Sequence, residues 1–234
     1  MISPWAILFL GFILGMEHAS DADHVVAVST MVNRSRRLLS AARVGVMWGL
    51  GHTFAILLAG LAILLLKLSI PYKVAQGAEF TVGIVLVILG ALVLRDVARA
   101  RQWRLHRHPH DHPREEHRHL HIHTEAEVHR HRHGLRPFLI GIVHGLAGSA
   151  ALTLLVLSTI DSTLWGIVYI LVFGLGSILG MMFFSGIIGL PFVLTSGNRF
   201  ARFQSGIKLA AGVLSMGLGV GIMLQIGMGQ GLLT

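Results

Sequence analysis

Residues 4–32 read PWAILFLGFILGMEHASDADHVVAVSTMV, an apolar run interrupted near its middle by Glu17, His18, Asp21, Asp23 and His24. The run is longer than the roughly 20 residues that a helix rising about 1.5 Å per residue needs to cross a hydrocarbon core of about 30 Å. An ionised carboxylate near the centre of such a span costs about 2.5–3.5 kcal/mol on the insertion scale, so three carboxylates in one span call for a cation or for protons. The sequence therefore predicts a membrane helix built around polar groups.

Five further apolar runs are long enough to cross a bilayer: 44–66, 78–98, 137–159, 164–193 and 204–228. The 234 residues are 53% hydrophobic and only 13% charged, against about 25% charged in soluble domains. That composition excludes a soluble globular domain, and the absence of cysteine excludes a disulfide scaffold and a thiolate-ligated metal or iron–sulfur centre. The predicted fold is an all-α polytopic membrane protein with six transmembrane helices. The first and fifth runs exceed what a perpendicular crossing needs, which predicts tilt or a broken helix. No cleaved signal peptide is expected, because the N-terminus lacks a basic region and its apolar run continues into Glu17 and His18.

The formal net charge is +8, but the basic residues sit in the breaks between apolar runs, so lipid headgroups rather than nucleic acid are their expected partners. Arg34, Arg36, Arg37 and Arg43 follow the first run, ten arginines lie from Arg95 to Arg136, and Arg199, Arg202 and Lys208 lie between the fifth and sixth. Six spans put these groups on one face and leave only Lys67 and Lys73 on the other. That face is expected to be cytoplasmic, with both termini outside.

Residues 99–135 hold 11 of the 15 histidines, in runs such as His117-Arg118-His119-Leu120-His121-Ile122-His123. A segment so polar cannot bury a core and is expected to be a flexible cytoplasmic linker. Alternating imidazoles can offer themselves to Zn, Cu, Ni or Co; a solubilising basic linker is the plainer alternative. Across this linker the sequence echoes itself. Gly15-Met16-Glu17-His18 corresponds to Gly141-Ile142-Val143-His144, and Trp48-Gly49-Leu50-Gly51-His52 to Phe173-Gly174-Leu175-Gly176-Ser177. Two three-helix units, 1–98 and 136–234, would enter the bilayer from opposite sides as inverted repeats, the arrangement of many transporters.

The polar residues of the first run do not share a face. At about 100° per residue Glu17, Asp21 and His24 form a stripe, His18 lies at its edge, and Asp23 points almost oppositely. Bringing them to one ion requires the helix to unwind or tighten near residues 18–24. Elsewhere in the spans the notable polar residues are His52, His144 and scattered Ser and Thr, of which Ser149, Thr153 and Ser177 are read as packing and backbone-bonding hydroxyls. No Lys or Arg lies deep enough to pair with the acids, so a bound divalent cation or protonation remains. Imidazole mixed with carboxylate, without thiolate, suits Ni(II), Co(II) or Zn(II) and disfavours Cu(I). Glu17 fits a ligand, a partner orienting an imidazole, or a protonation site.

His18-Ala19-Ser20-Asp21-Ala22-Asp23-His24 resembles the His-Ala-x-Asp-Ala-Asp-His signature of the nickel/cobalt transporter family, and Leu50-Gly51-His52-Thr53 is similar to its second motif. The chain looks closest to a short six-helix branch associated with urease accessory permeases. The resemblance implies that His18, Asp21, Asp23, His24 and His52 belong to a translocation site for Ni²⁺ or Co²⁺ in a bacterial or archaeal inner membrane. His144, through its place in the repeat, joins the candidate set with Glu17.

An enzyme is not expected: the chain has no Gly-Lys-Ser/Thr phosphate loop, and Glu17-His18 lacks the second histidine of a His-Glu-x-x-His helix. The leading expectation is a secondary transporter taking up Ni²⁺ or Co²⁺, with no prosthetic group. Efflux through the same site is one alternative. A membrane metal sensor or chaperone feeding urease or hydrogenase maturation proteins is another.

Overall fold

The computed structural model describes residues 4–33, 35, 37–66, 71–102, 135–146, 160, 162–195 and 200–229. Within these residues seven α-helices follow in chain order: α1 (Pro4–His18), α2 (Ala22–Val32), α3 (Leu38–Leu66), α4 (Tyr72–Gln102), α5 (Leu135–Gly145), α6 (Thr163–Leu194) and α7 (Ala201–Leu224), the last prolonged by a π-helical turn, Gln225–Gly229. Among the described residues there is no strand. Four helical stretches, Leu38–Ala62, Tyr72–Arg99, Thr163–Leu194 and Ala201–Met228, are long and apolar enough to cross a membrane, while α1, α2 and α5 are shorter apolar helices.

The expected spans differ from the observed helices in three ways. The first apolar run forms two helices, α1 and α2, because the backbone turns at Ala19–Asp21. The fifth, for which tilt or a break was expected, is one continuous helix of 32 residues that carries Pro191 in its last turn. The fourth is represented by α5 alone, and 147–159, with Ser149 and Thr153, lies outside the described residues. So does 103–134, which holds most of the histidine-rich segment. Elsewhere the helices outrun their apolar stretches, α3 by its first turns and α4 at both ends, since polar residues of good helix propensity prolong a helix into the interface without adding hydropathy.

Close backbone approaches at glycine set the helix directions. Gly11, Gly15 and Gly180 bring α1 and α6 together, facing Tyr169, Phe173 and Ala19 respectively, so the two run parallel. α3 and α5 are likewise parallel, with Gly51 against Phe138, Gly141 against Trp48 and His52, and Gly145 against Ala55. α3 and α6 cross antiparallel at the centre through Gly45 with Met181, Gly49 with Ile178 and Gly174 with Thr53, whose hydroxyl donates to the Gly174 carbonyl at 3.2 Å. α4 and α7 form a separate antiparallel pair, Gly83 on Gly219 and Gly90 on Gly212, and between these contacts the buried Ser215 hydroxyl donates to the Leu86 carbonyl at 2.7 Å. Lipid tails are as apolar as leucine, so helices in a bilayer gain from close packing of small residues rather than from burying oil. Accordingly, large side chains such as Phe9, Leu58, Phe183 and Leu214 point outward. Trp5 and Trp165, at the first turns of the parallel α1 and α6, meet edge-to-face with centroids 6.1 Å apart, at a level suited to an interfacial aromatic belt.

Candidate metal centre

The site begins at the break between α1 and α2. A helix that stops at His18 frees the last carbonyls of α1. The His18 carbonyl accepts two donors across the gap, the Asp21 N–H at 3.1 Å and the His24 Nδ1–H at 2.8 Å. The Glu17 carbonyl accepts the Ser20 N–H and hydroxyl. Asp21 stands at the N-cap of α2, where a carboxylate commonly bonds the first N–H groups, but it makes no side-chain cap bond. Its Oδ2 instead meets His18 Nδ1 at 2.8 Å. Asp23, in the first turn of α2, is favoured by the positive end of the helix dipole, and its Oδ2 lies 3.9 Å from His24 Nε2.

Three other helices close the site. From α3, His52 Nε2 sits 3.0 Å from His18 Nε2. The His24 ring centroid is 4.4 Å from that of His18, 5.2 Å from His52 and 5.6 Å from His144, which α5 contributes. From α6, Phe173 lies against His18 at 5.8 Å. The four imidazoles are buried.

The hydrogen bonds fix which nitrogens are free. His18 spends its Nδ1–H on Asp21, His24 on the His18 carbonyl and His144 on the Ile140 carbonyl at 3.3 Å, which leaves an Nε2 lone pair on each; that of His18 accepts the His52 Nε2–H, so the His52 lone pair is on Nδ1. Holding the far nitrogen of an imidazole on a carboxylate or carbonyl is how proteins orient histidines for metals. Among the described residues His24 Nε2, His52 Nδ1 and His144 Nε2 have no hydrogen-bond partner, and neither does the nearby Trp48 Nε1. A buried polar atom without a partner costs about 1–3 kcal/mol, and a metal ion would relieve the nitrogens that carry lone pairs. Two triads have ligand atoms all within 4.8 Å of one another: His18, His24 and His52, all buried, and Asp21, Asp23 and His24, which runs from exposed to buried.

With this geometry in view, comparison with known proteins is decisive. The family model of the high-affinity nickel-transport protein, NicO, matches residues 4–230. The chain belongs to the NicO family. It is 38% identical over 230 residues to the urease accessory protein UreH of Bacillus sp. (strain TB-90), covering 97% of this chain and 94% of that one. It is also 27% and 25% identical to the chloroplast proteins FOR GROWTH AND FERTILITY 1 and 2 of Arabidopsis thaliana, over 96% of this chain but only 60% and 57% of theirs. No solved structure matches.

Within this NicO chain, the break brings together His18, Asp21, Asp23 and His24, and α3 adds His52. His144 reaches the cluster through His24 but belongs to neither triad, and Glu17 is exposed and outside both. Ser177 is buried, yet its hydroxyl has no hydrogen-bond partner among the described residues, which corrects the expectation that it bonds the backbone. Two aromatic residues beside the site were noted in the sequence only as parts of the echo. Trp48 lies 5.1 Å from His24 and 5.6 Å from His144, and Phe173 stacks by His18. The available signal was their place four residues before His52 and Ser177, one helical turn away on the same face.

Proposed function

We propose that this NicO-family membrane protein is a secondary permease that takes up Ni²⁺, Co²⁺ or both, with no enzymatic step and no prosthetic group. The observation that carries the proposal is the buried His18–His24–His52 triad at a helix break inside the first span. His18, Asp21, Asp23, His24 and His52 would hold the ion in transit, with His144 beside them; Glu17, exposed, would act outside the coordination sphere. His18 Nε2 and His52 Nε2 share a hydrogen bond at 3.0 Å, which an ion held by both rings would replace. Imidazole and carboxylate donors without thiolate suit nickel and cobalt.

The proposed architecture is six crossings in two inverted three-helix units, 1–98 and 136–234, joined by the histidine-rich linker 99–135. Reciprocal packing supports it. Gly15 of α1 lies on Phe173 and Ser177 of α6, while its counterpart Gly141 of α5 lies on Trp48 and His52 of α3. His18 touches Phe173 as His144 touches Trp48. The α4–α7 contacts map onto themselves under the same exchange, Gly83 and Gly90 answering to Gly212 and Gly219. The helix directions bring the starts of α3, α5 and α7 and the ends of α4 and α6 to one side, and Arg37, Arg43, Arg95, Arg99, Arg136 and Arg202 lie at or near these ends, which supports that face being cytoplasmic in a bacterial or archaeal inner membrane, with both termini outside. Alternating access would come from one unit rocking on the other. Uptake without ATP is feasible because a dication moving inward gains about 4.6 kcal/mol per 100 mV of inside-negative potential. The likeness to UreH supports nickel delivered this way serving urease maturation.

The test is ⁶³Ni²⁺ accumulation in proteoliposomes under an imposed inside-negative potential. Wild-type protein is expected to accumulate nickel, and His18→Ala and His52→Ala to reduce accumulation to the level of empty vesicles. Undiminished uptake in both variants would refute the site. Resistance to nickel, rather than sensitisation, in cells producing the protein would reverse the direction to efflux.

A further inference from the structure

The two triads share one residue, and that sharing has a consequence for how an ion moves. Asp21 and Asp23 lie at the surface of the chain, their side chains 49% and 28% exposed, whereas His18, His24 and His52 are buried. His24 belongs to both groups. Its Nδ1–H is committed to the His18 carbonyl, which leaves a single lone pair on Nε2, a fully buried atom with no hydrogen-bond partner among the described residues and 3.9 Å from Asp23 Oδ2. One lone pair coordinates one ion.

We propose that the divalent ion occupies two mutually exclusive stations that share His24: an outer one of Asp21, Asp23 and His24, and an inner one of His18, His24 and His52. This rests on the chain being a permease. The order follows from ligand chemistry. A hydrated dication meets carboxylate oxygens first, where water can still complete its coordination shell, and sheds that water only on reaching the imidazoles. Asp21 serves both stations. It is a ligand while the ion is outside, and when the ion moves inward its Oδ2 holds the His18 Nδ1–H, so that His18 Nε2 faces the ion. Hard cations with little affinity for imidazole would stop at the outer station, so the transfer itself sorts transition metals from Mg²⁺ and Ca²⁺.

The test uses the full-length protein in nanodiscs with Ni²⁺ alone, read by isothermal titration, by nickel K-edge X-ray absorption and by uptake of ⁶³Ni²⁺ in parallel proteoliposomes. Nickel taken by the 11 histidines of 99–135 is subtracted with His24→Ala as the reference, and beyond it wild type is expected to bind one nickel per chain in a nitrogen-dominated shell. The double variant His18→Ala/His52→Ala should keep one weaker nickel in an oxygen-dominated shell and carry none across. Asp23→Asn, nearly isosteric and so a safeguard if the double variant misfolds, should keep nitrogen-dominated binding while raising the KM for uptake at least tenfold with kcat little changed. His24→Ala should lose binding at both stations. Two nickel ions bound by wild type beyond those retained by His24→Ala would overturn the proposal. So would Asp23→Asn losing nitrogen-dominated binding, which would make all five residues a single site. If the binding and absorption results hold but wild type moves no nickel, the permease assignment falls and the two-station arrangement stands.

Discussion

At the scale of single residues, the cluster at the break between α1 and α2 was legible wherever chemistry and surroundings conflicted. Carboxylates and imidazoles in an apolar span declare themselves, and so His18, Asp21, Asp23, His24 and His52 could be named from the sequence alone. Trp48 could not, because a tryptophan in an apolar helix looks the same whether it packs a core or walls a site. It is fully buried between the rings of His24 and His144. Trp48→Ala is expected to destabilise the protein by about 3–5 kcal/mol through the void it leaves. Trp48→Phe keeps an aromatic wall and removes an indole N–H that has no partner among the described residues, so it should be neutral within about 1 kcal/mol or slightly stabilising. Thermal unfolding in detergent micelles distinguishes these outcomes, and a Trp48→Phe variant as unstable as Trp48→Ala would show that the N–H is satisfied.

At the scale of the elements, the break in the first apolar run was legible as a geometric necessity, since residues stepping by about 100° cannot converge from opposite faces of a straight helix. The structure resolves the conflict by stopping α1 at His18 and restarting α2 at Ala22. Which helix meets which was not legible, because glycines are frequent in all membrane helices and their partners emerge only in three dimensions. The same residue type accordingly has opposite roles. A Cβ at Gly141 would run into the Trp48 carbonyl, whereas one at Gly77 of α4 meets nothing within 4 Å. Gly141→Leu should push α5 off α3, lower stability by at least about 1–3 kcal/mol and impair nickel uptake. Gly77→Ala should raise stability by about 0.5–1 kcal/mol through helix propensity alone. Unfolding midpoints of the two variants, compared with wild type, provide the check.

At the scale of the whole molecule, hydropathy and charge together anticipated an all-helical membrane protein, but hydropathy could not anticipate that α3 and α4 extend beyond their apolar stretches or that α5 is short among the described residues. The absence of cysteine makes orientation directly measurable. Single replacements at the exposed Arg37, Lys73 and Arg202 are expected to divide two to one: with a membrane-impermeant thiol reagent on intact cells, Lys73→Cys should react and Arg37→Cys and Arg202→Cys should not until the membrane is opened. Labelling of all three from outside would dismiss the proposed orientation. A mechanical consequence follows from the α4–α7 pair. Glycine contacts grip it on either side of its midpoint, and the Ser215 hydroxyl is pinned to the Leu86 carbonyl between them. A seam tied at its centre resists sliding yet leaves both ends free to splay, so in the proposed permease it would act as a fulcrum: widening toward one side of the bilayer would be matched by narrowing toward the other, and the two mouths would not gape together.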